Sequence, residues 1–561
     1  MQARRPDNGV SKVLGDNMTR ETSKRINSST AEEPQRRFAG GVVFALGFGL
    51  AASVGSRIAF QKIDSTYQWN YLSDMDVKSL LIFIGATLLF FVSERALLLW
   101  SRRRAVATIP GNQQHVWHVP ALAAVLLVAW LPYMLALYPG VVLPDTISSI
   151  DQIVGAAPLS NHHPILFTLT LKLFIMMLGG NISHGIFLFA IFQSLVLAFT
   201  LSFSLEWARL HGARRWMCNT VILFYALVPA FPIYGMNIQK DTLFACWVLL
   251  SGIFAFEVDR QIQNGELHKG QCLLLSAMLT LIWFSRNNGP YVSAGIMVWL
   301  GLVALRHGRP KAFLFSVIPS LAACLLVVGP IFSAISVPTE DAESVGIPLQ
   351  QLAATVVYSG DIDATDMEYL GNLLPVENYR KYTPCLADTL KWDASFNNDF
   401  LRSTKANFLQ VWARVGLRNI GIYEQAYVME TYGFWVPGVK NPYGFLDTRV
   451  QENEYGIVRI DLFQTLTGSN AASRIVESTT FFGSGTLLWA LLLLVAVQID
   501  SRKTLDFALL LPAVLVVLTI LIATPVAFSL RYVFVLAIGI SIYCLREFAD
   551  DIADERASRA Q

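Results

Sequence analysis

The chain is short of charge. Asp, Glu, Lys and Arg make up 15% of its 561 residues, against about 25% in an ordinary soluble protein. That deficit excludes a solvated globule of this length. The formal net charge of +2 gives no ground for a nucleic-acid partner, and what matters is the sign of charge in each loop. Glycine-rich phosphate loops are missing as well: no GxGxxG follows a strand pattern and no GKS or GKT occurs, so soluble nucleotide-sugar machinery is not expected. No CxxC pair and no HxxxH spacing suggests a metal. Five of the six cysteines fall in apolar runs, and Cys385 alone lies in a long polar segment. One such cysteine makes no intradomain disulfide, so the redox compartment is not legible.

Long apolar runs are abundant instead. Hydrophobic residues are 54% of the chain. Thirteen apolar runs lie near 39–60, 79–100, 119–137, 165–178, 184–205, 216–234, 242–258, 271–285, 290–306, 312–335, 482–499, 506–523 and 528–546. Most approach the roughly 20 residues that span a hydrocarbon core. The fold class expected is an all-α polytopic membrane protein. The first run begins near Phe38, later than a cleavable signal peptide would start. The preceding residues 1–37 are polar and read as a disordered cytoplasmic tail, with Arg36 and Arg37 at the headgroups.

Thirteen spans would violate the positive-inside rule from Arg209 onward. Run 165–178 is the shortest and contains Lys172, which suits an interfacial or re-entrant helix. Without it, about 12 transmembrane helices remain. Arg209, Arg214 and Arg215, then Arg260 and Lys269, then Arg306, Arg309 and Lys311, then Arg502 and Lys503, and Arg546 all fall inside. Both termini are then cytoplasmic. The chain divides into a tail (1–37), an N-terminal transmembrane module (38–336) with an outer loop at 138–183, an extracytoplasmic, mainly helical domain (337–480), C-terminal transmembrane helices (481–547) and a cytoplasmic tail (548–561).

This topology puts several ionisable groups at one membrane face, where they are costly unless paired or functional. Asp145, after Pro144, is either a solvated or capping residue or a carboxylate that takes a proton from an attacking hydroxyl or holds a metal. His162 and His163 precede Pro164 at a helix start. They are interfacial imidazoles or donors to a phosphate or sugar hydroxyl. Lys240 and Asp241 open a span, either as a snorkelling lysine beside a cap or as a phosphate contact with its orienting carboxylate. Arg286, with Asn287 and Asn288, ends another span. Arg531 sits inside an apolar run, at a cost of roughly 2.5–3.5 kcal/mol that a lipid phosphate would offset. In the insert, Tyr432, Phe434, Trp435 and Tyr443 are either packing aromatics or a surface for stacking on sugar rings.

The stretches "YPGVVLPDT", "NHHPIL", "KDTLF", "RNNG", "IPLQQLA" and "TYGFWVPG" resemble a bacterial family of polytopic proteins placed near the GT-C superfamily. The order of span, outer loop with an early Asp, His/Pro-started interfacial helix and basic inner loop is similar to GT-C glycosyltransferases. These include the family-39-like protein mannosyltransferases and the aminoarabinose lipid A transferases. The likeness implies an integral-membrane glycosyltransferase that moves a sugar from a polyprenyl-phosphate donor to a cell-envelope glycan, lipid or protein. It puts a catalytic role on Asp145, a second acidic role on Asp241, and lipid-phosphate binding on Arg286 and Arg531. Asp145 is followed by Thr146 where many members carry a second acid, so no metal ligands are assigned, although a divalent metal stays open as a cofactor. The insert interrupts the spans rather than following them. Two other functions are compatible with the same residues: a transporter or flippase for a lipid-linked saccharide, with polar residues at the midplane and broken helices, or a non-catalytic glycan-binding envelope protein.

Overall fold

The computed structural model describes residues 39–57, 76–102, 106–107, 118–160, 164–331, 345–438, 446–481, 483–501, 504–523, 526, 529–549 and 551–552. The tail 1–37, His162, His163, Tyr443 and most of the C-terminal tail lie outside them. Apart from a two-residue parallel pair, Val106–Ala107 with Asp551–Ile552, the regular structure described is helical. This is an all-α membrane protein.

The apolar runs become helices α1 (Ala39–Gly55), α2 (Val77–Arg102), α3 (His118–Ala136), α4 (Pro144–Val154), α5 (Ile165–Met177), α6 (Ile182–Leu210), α7 (Arg215–Leu227), α8 (Ala230–Met236), α9 (Lys240–Asn264), α10 (Lys269–Ser285), α11 (Gly289–His307) and α12 (Lys311–Leu326). The insert contains, among others, α13 (Gly346–Val357), α14 (Ala364–Leu373), α15 (Asp388–Lys391), α16 (Asn398–Ser403), α17 (Lys405–Arg418), α18 (Ile420–Trp435), α19 (Leu462–Thr467) and α20 (Ala471–Ser478). Helices α21 (Ser484–Ser501), α22 (Thr504–Ile522) and α23 (Phe534–Glu547) close the chain.

Seven of the described helices are long and apolar enough to cross a membrane, or eight when α7 and α8, bent by 55° at their break, count as one span. That is fewer than the twelve expected, and the reason is length. At 1.5 Å per residue, the 17 residues of α1 or α10 reach about 25 Å, less than a hydrocarbon core of about 30 Å. Helix α5 is a 13-residue apolar helix packed beside α4 and α6.

Burial separates the axis from the rim. The apolar window of α9 is 83% buried, that of α2 only 11%. Helix α9 touches α6, α10, α11, α22 and α23. On α2, Leu80, Leu81, Ile84, Leu88 and Leu89 are exposed, which suits a lipid-facing surface. Lipid gives such helices no hydrophobic drive to associate, so close backbone approach and polar contacts must hold them. Gly41, Ala45 and Gly49, four residues apart on α1, are all buried. A Cβ on Gly49 would lie 2.7 Å from the Phe83 carbonyl oxygen. Ser53 Oγ donates to the Ser79 carbonyl at 3.0 Å. Asp500 caps α1 by accepting from the backbone N–H groups of Gly40 (3.0 Å) and Gly41 (3.2 Å), and Arg95 pairs with both Glu94 and Asp500.

The two ends of the bundle differ in chemistry. One collects basic residues held by acids on their own or neighbouring helices: Arg209 with Glu206 (2.6 Å), Arg260 with Glu257 (2.9 Å) and Arg546 with Asp506 (2.9 Å). At the other end stand Asp145, the start of α9, the end of α10 and the segment before α23.

The insert meets this second end. Residues between Val345 and Ala426 enclose a hydrophobic core of their own, with Leu349, Leu352, Leu370, Tyr379, Phe408 and Val411 buried. Helix α18 leans on α21, while α19 and α20 pack on α3. Tyr432 and Phe434, offered from sequence as a stacking surface, are buried, at 0% and 2% exposure. They pack rather than present a face, because α18 is clamped between α13 and α21.

Glu430 of α18 is fully buried, and Gln350 Nε2 donates to it at 2.9 Å. Burial drives its pKa well above the ordinary 4.5, outweighing the Gln350 hydrogen bond. The folded chain therefore keeps this proton after the unfolded chain has lost it. Stability from Glu430 is present below pH 4.5 and is lost as pH rises, by about 1.4 kcal/mol per pH unit until the folded-state pKa is reached. Thermal unfolding of the purified protein between pH 5 and 8 should show this fall, and Glu430→Gln should flatten it.

Candidate functional site

Asp145 stands in the first turn of α4, which begins at Pro144 and is capped after Val154 by Gly155 in the left-handed region (φ 83°). An acid in the first turn suits the helix dipole. Helix α4 is tied to the chain before α9. Val141 N–H donates to the Met236 carbonyl (2.8 Å), Ile238 N–H donates to the Val141 carbonyl (3.0 Å), and Thr146 Oγ1 donates to the Ile238 carbonyl. These bonds bring the start of α9 beside the start of α4.

Lys240 opens α9, where the dipole opposes a cation by roughly 0.3–1 kcal/mol. Its compensation is direct. Lys240 Nζ lies 3.5 Å from Asp145 Oδ2, and Arg531 Nη1 lies 3.2 Å from the same oxygen. Arg531 comes from a 3-10 turn, Leu530–Val533, that leads into α23. It also donates from Nη2 to the Tyr532 hydroxyl (3.0 Å).

One residue further on, Asp241 is buried and its Oδ1 lies 2.6 Å from Arg286 Nη1. The Arg286 guanidinium sits 4.9 Å from the Tyr532 ring centroid and 5.5 Å from that of Phe244, and the Arg531 guanidinium also sits 4.9 Å from Tyr532. Tyr532 thus holds two cations on one ring. Lys240, Arg286 and Arg531 bring three cations to one place, met by Asp145 and Asp241, with Asp388 and Asp447 acting on the neighbouring tyrosines. Cations gathered in this way at a lipid boundary can pair with an anion.

Of the residues singled out from sequence, the fold brings together Asp145, Lys240, Asp241, Arg286 and Arg531. Asn287 is exposed in the turn between α10 and α11. Its neighbour Asn288 anchors that turn, donating from Nδ2 to Thr519 Oγ1 at 2.8 Å. His162 and His163 lie outside the described residues. Among the described residues no group of three His, Cys, Asp or Glu stands close enough to hold a metal.

Three contributors carried no sequence signal. Tyr532 could have been noticed only as the neighbour of Arg531. Gln193, on α6, donates from Nε2 to the carbonyls of Tyr234 (3.0 Å), Gly235 (3.1 Å) and Asn237 (2.7 Å), serving carbonyls that α8 leaves open at its end. Residues 446–461 of the insert form a strap over α4. Gln451 N–H donates to the Val142 carbonyl (2.7 Å), Ile460 N–H to the Tyr138 carbonyl (2.8 Å), and Arg459 Nε to the Ala136 carbonyl (3.1 Å). Tyr455 donates to Asp151, whose carboxylate pushes the phenol pKa up to about 12.

Residues 153–561 match a family described as one of unknown function, DUF6020. The chain belongs to that family. The DUF6020 match takes in Lys240, Asp241, Arg286 and Arg531 and begins eight residues after Asp145. No curated protein and no solved structure matches the chain.

The Asp241–Arg286 pair generates a stability prediction. Arg286→Leu leaves a buried carboxylate without its cation, a loss of about 3–5 kcal/mol. Adding Asp241→Asn should recover most of it, because the stranded charge is gone. Melting temperatures of the two single variants and the double variant in detergent test this. Equal losses that simply add would show that the two side chains do not interact.

Proposed function

We propose that this protein is an integral-membrane glycosyltransferase of GT-C type. It moves a sugar from a polyprenyl-phosphate donor to a cell-envelope glycan, lipid or protein. The observation that carries this reading is the shared carboxylate: Asp145 lies between Lys240 and Arg531, with the Arg286–Asp241 pair beside them. On the positive-inside reading, with about 12 spans and both termini cytoplasmic, the basic end faces the cytoplasm. The site and the insert then face outward. The donor's tail stays in the bilayer, and its phosphate reaches the cations at the interface.

In the reaction, an acceptor hydroxyl attacks the anomeric carbon, the bond from that carbon to the phosphate oxygen breaks, and polyprenyl phosphate leaves. Asp145 takes the hydroxyl proton. Lys240, Arg286 and Arg531 stabilise the charge gathering on the departing phosphate. Before the donor binds, Asp145 holds Lys240 and Arg531. An arriving phosphate competes for the same cations and so frees the carboxylate as a base. Asp241 keeps Arg286 oriented.

A second reading, a transporter of lipid-linked saccharide, is favoured by one observation. The span formed by α7 and α8 is broken by 55° directly before the site, as in transporters with discontinuous helices.

A donor carrying radiolabelled sugar separates the two readings. The enzyme releases polyprenyl phosphate in the presence of an envelope extract. Asp145→Asn should lower the rate about 10²–10⁴-fold and leave donor binding intact. Donor crossing between leaflets unconsumed would refute the transferase and support the transporter.

A further inference from the structure

The chain between α8 and α9 holds a second set of polar groups that the ionic cluster does not use. Asn237 and Gln239 flank a tight turn, in which Gln239 N–H donates to the Asn237 carbonyl at 2.8 Å. Both side chains are buried, at 6% and 2% exposure. Among the described residues, the Oδ1 of Asn237 and both the Oε1 and Nε2 of Gln239 have no hydrogen-bond partner, and neither does Gln193 Oε1 behind them. Four polar atoms are thus withdrawn into the protein at one place. Leaving a buried amide unsatisfied is costly, so a cluster of such atoms beside a candidate site points to a ligand that satisfies them.

The location narrows the chemistry. Asn237 is paired with Val141 through a parallel backbone bridge, four residues before Asp145. Gln239 directly precedes Lys240, which reaches the same carboxylate. The amides are neutral and offer both acceptors and donors, whereas the cluster next to them is ionic. A ligand that suits both has a charged group joined to a neutral group rich in hydroxyls.

Resting on the glycosyltransferase reading, we infer that Asn237 and Gln239, backed by Gln193, form a sugar subsite that hydrogen-bonds the hydroxyls of the donor's glycosyl group, while Lys240, Arg286 and Arg531 take its phosphate. The division of labour has a consequence. Discrimination between a loaded and a spent lipid carrier lies in the amides, and affinity for the carrier lies in the cations.

The test uses the full chain in lipid nanodiscs and the variant Gln239→Met, which keeps the length of the side chain and removes its polar atoms. Binding is measured for bare polyprenyl phosphate and for the same lipid carrying mannose, glucose or N-acetylglucosamine. The wild type should bind at least one sugar-bearing lipid more tightly than the bare one. Q239M should erase that preference, by about 5- to 50-fold, with affinity for the bare lipid unchanged. Because the Gln239 side chain has no hydrogen-bond partner among the described residues to lose, the variant should melt no lower than the wild type. A wild type that binds bare and sugar-bearing lipids alike, or a Q239M protein that keeps the preference, overturns the subsite alone. A protein that binds none of the lipids overturns the glycosyltransferase reading itself.

Discussion

One carboxylate oxygen organises this end of the molecule. Asp145 Oδ2 is met by Lys240 and by Arg531, the latter 386 residues away in the chain. At a membrane boundary none of these charges is cheap to hold alone, and each makes the others tolerable. The ion pairs require α4, the start of α9 and the turn before α23 to converge. The hydrogen bonds between residues 141–146 and 236–238 perform the first half of that convergence. The stacking of Tyr234 on Phe534, 4.1 Å between ring centroids, fastens the second. The polar cluster is therefore set on a packed apolar base rather than suspended in loops.

The charges also sit in a graded environment. Asp145, Lys240 and Arg531 keep side-chain exposures of 15–23%, whereas Asp241 has 2% and Arg286 has 11%. The outer trio stays partly accessible. The inner pair cannot be separated without stranding a charge in a dry place, so it behaves as a fixed brace. Tyr532 joins the two levels, since both guanidiniums rest against its ring.

Much of this arrangement is legible in the sequence. Charge deficit and apolar runs gave an all-helical membrane protein. The loop-charge argument singled out run 165–178 as the short one, and α5 is a 13-residue helix. Cationic and acidic residues at helix ends are recognisable because ionisable groups are rare beside apolar runs, and Asp145, Lys240, Asp241, Arg286 and Arg531 meet. Asn287 is exposed in the turn after α10, whereas Asn288 is directed toward Thr519. The number of spans is not fixed by hydropathy, which counts the apolar residues and not how many remain in one straight helix. Pro229 breaks the run 216–234 between α7 and α8, which hydropathy does not register. The neutral amides escaped notice for a related reason: Asn and Gln in a loop look ordinary until burial removes the water that would satisfy them. Likewise, nothing in the spacing of Tyr455 and Asp151, 304 residues apart, announces the strap.

That strap has a mechanical corollary. It hydrogen-bonds to the backbone at Tyr138 and Val142, on the chain leading into α4, and its tyrosine grips Asp151 two turns beyond Asp145. Helix α4 is thus gripped along its length by the insert. A load on the insert could not shift that segment without tugging the Asp145 carboxylate along, so it would reach the ionic cluster as the displacement of a single short helix.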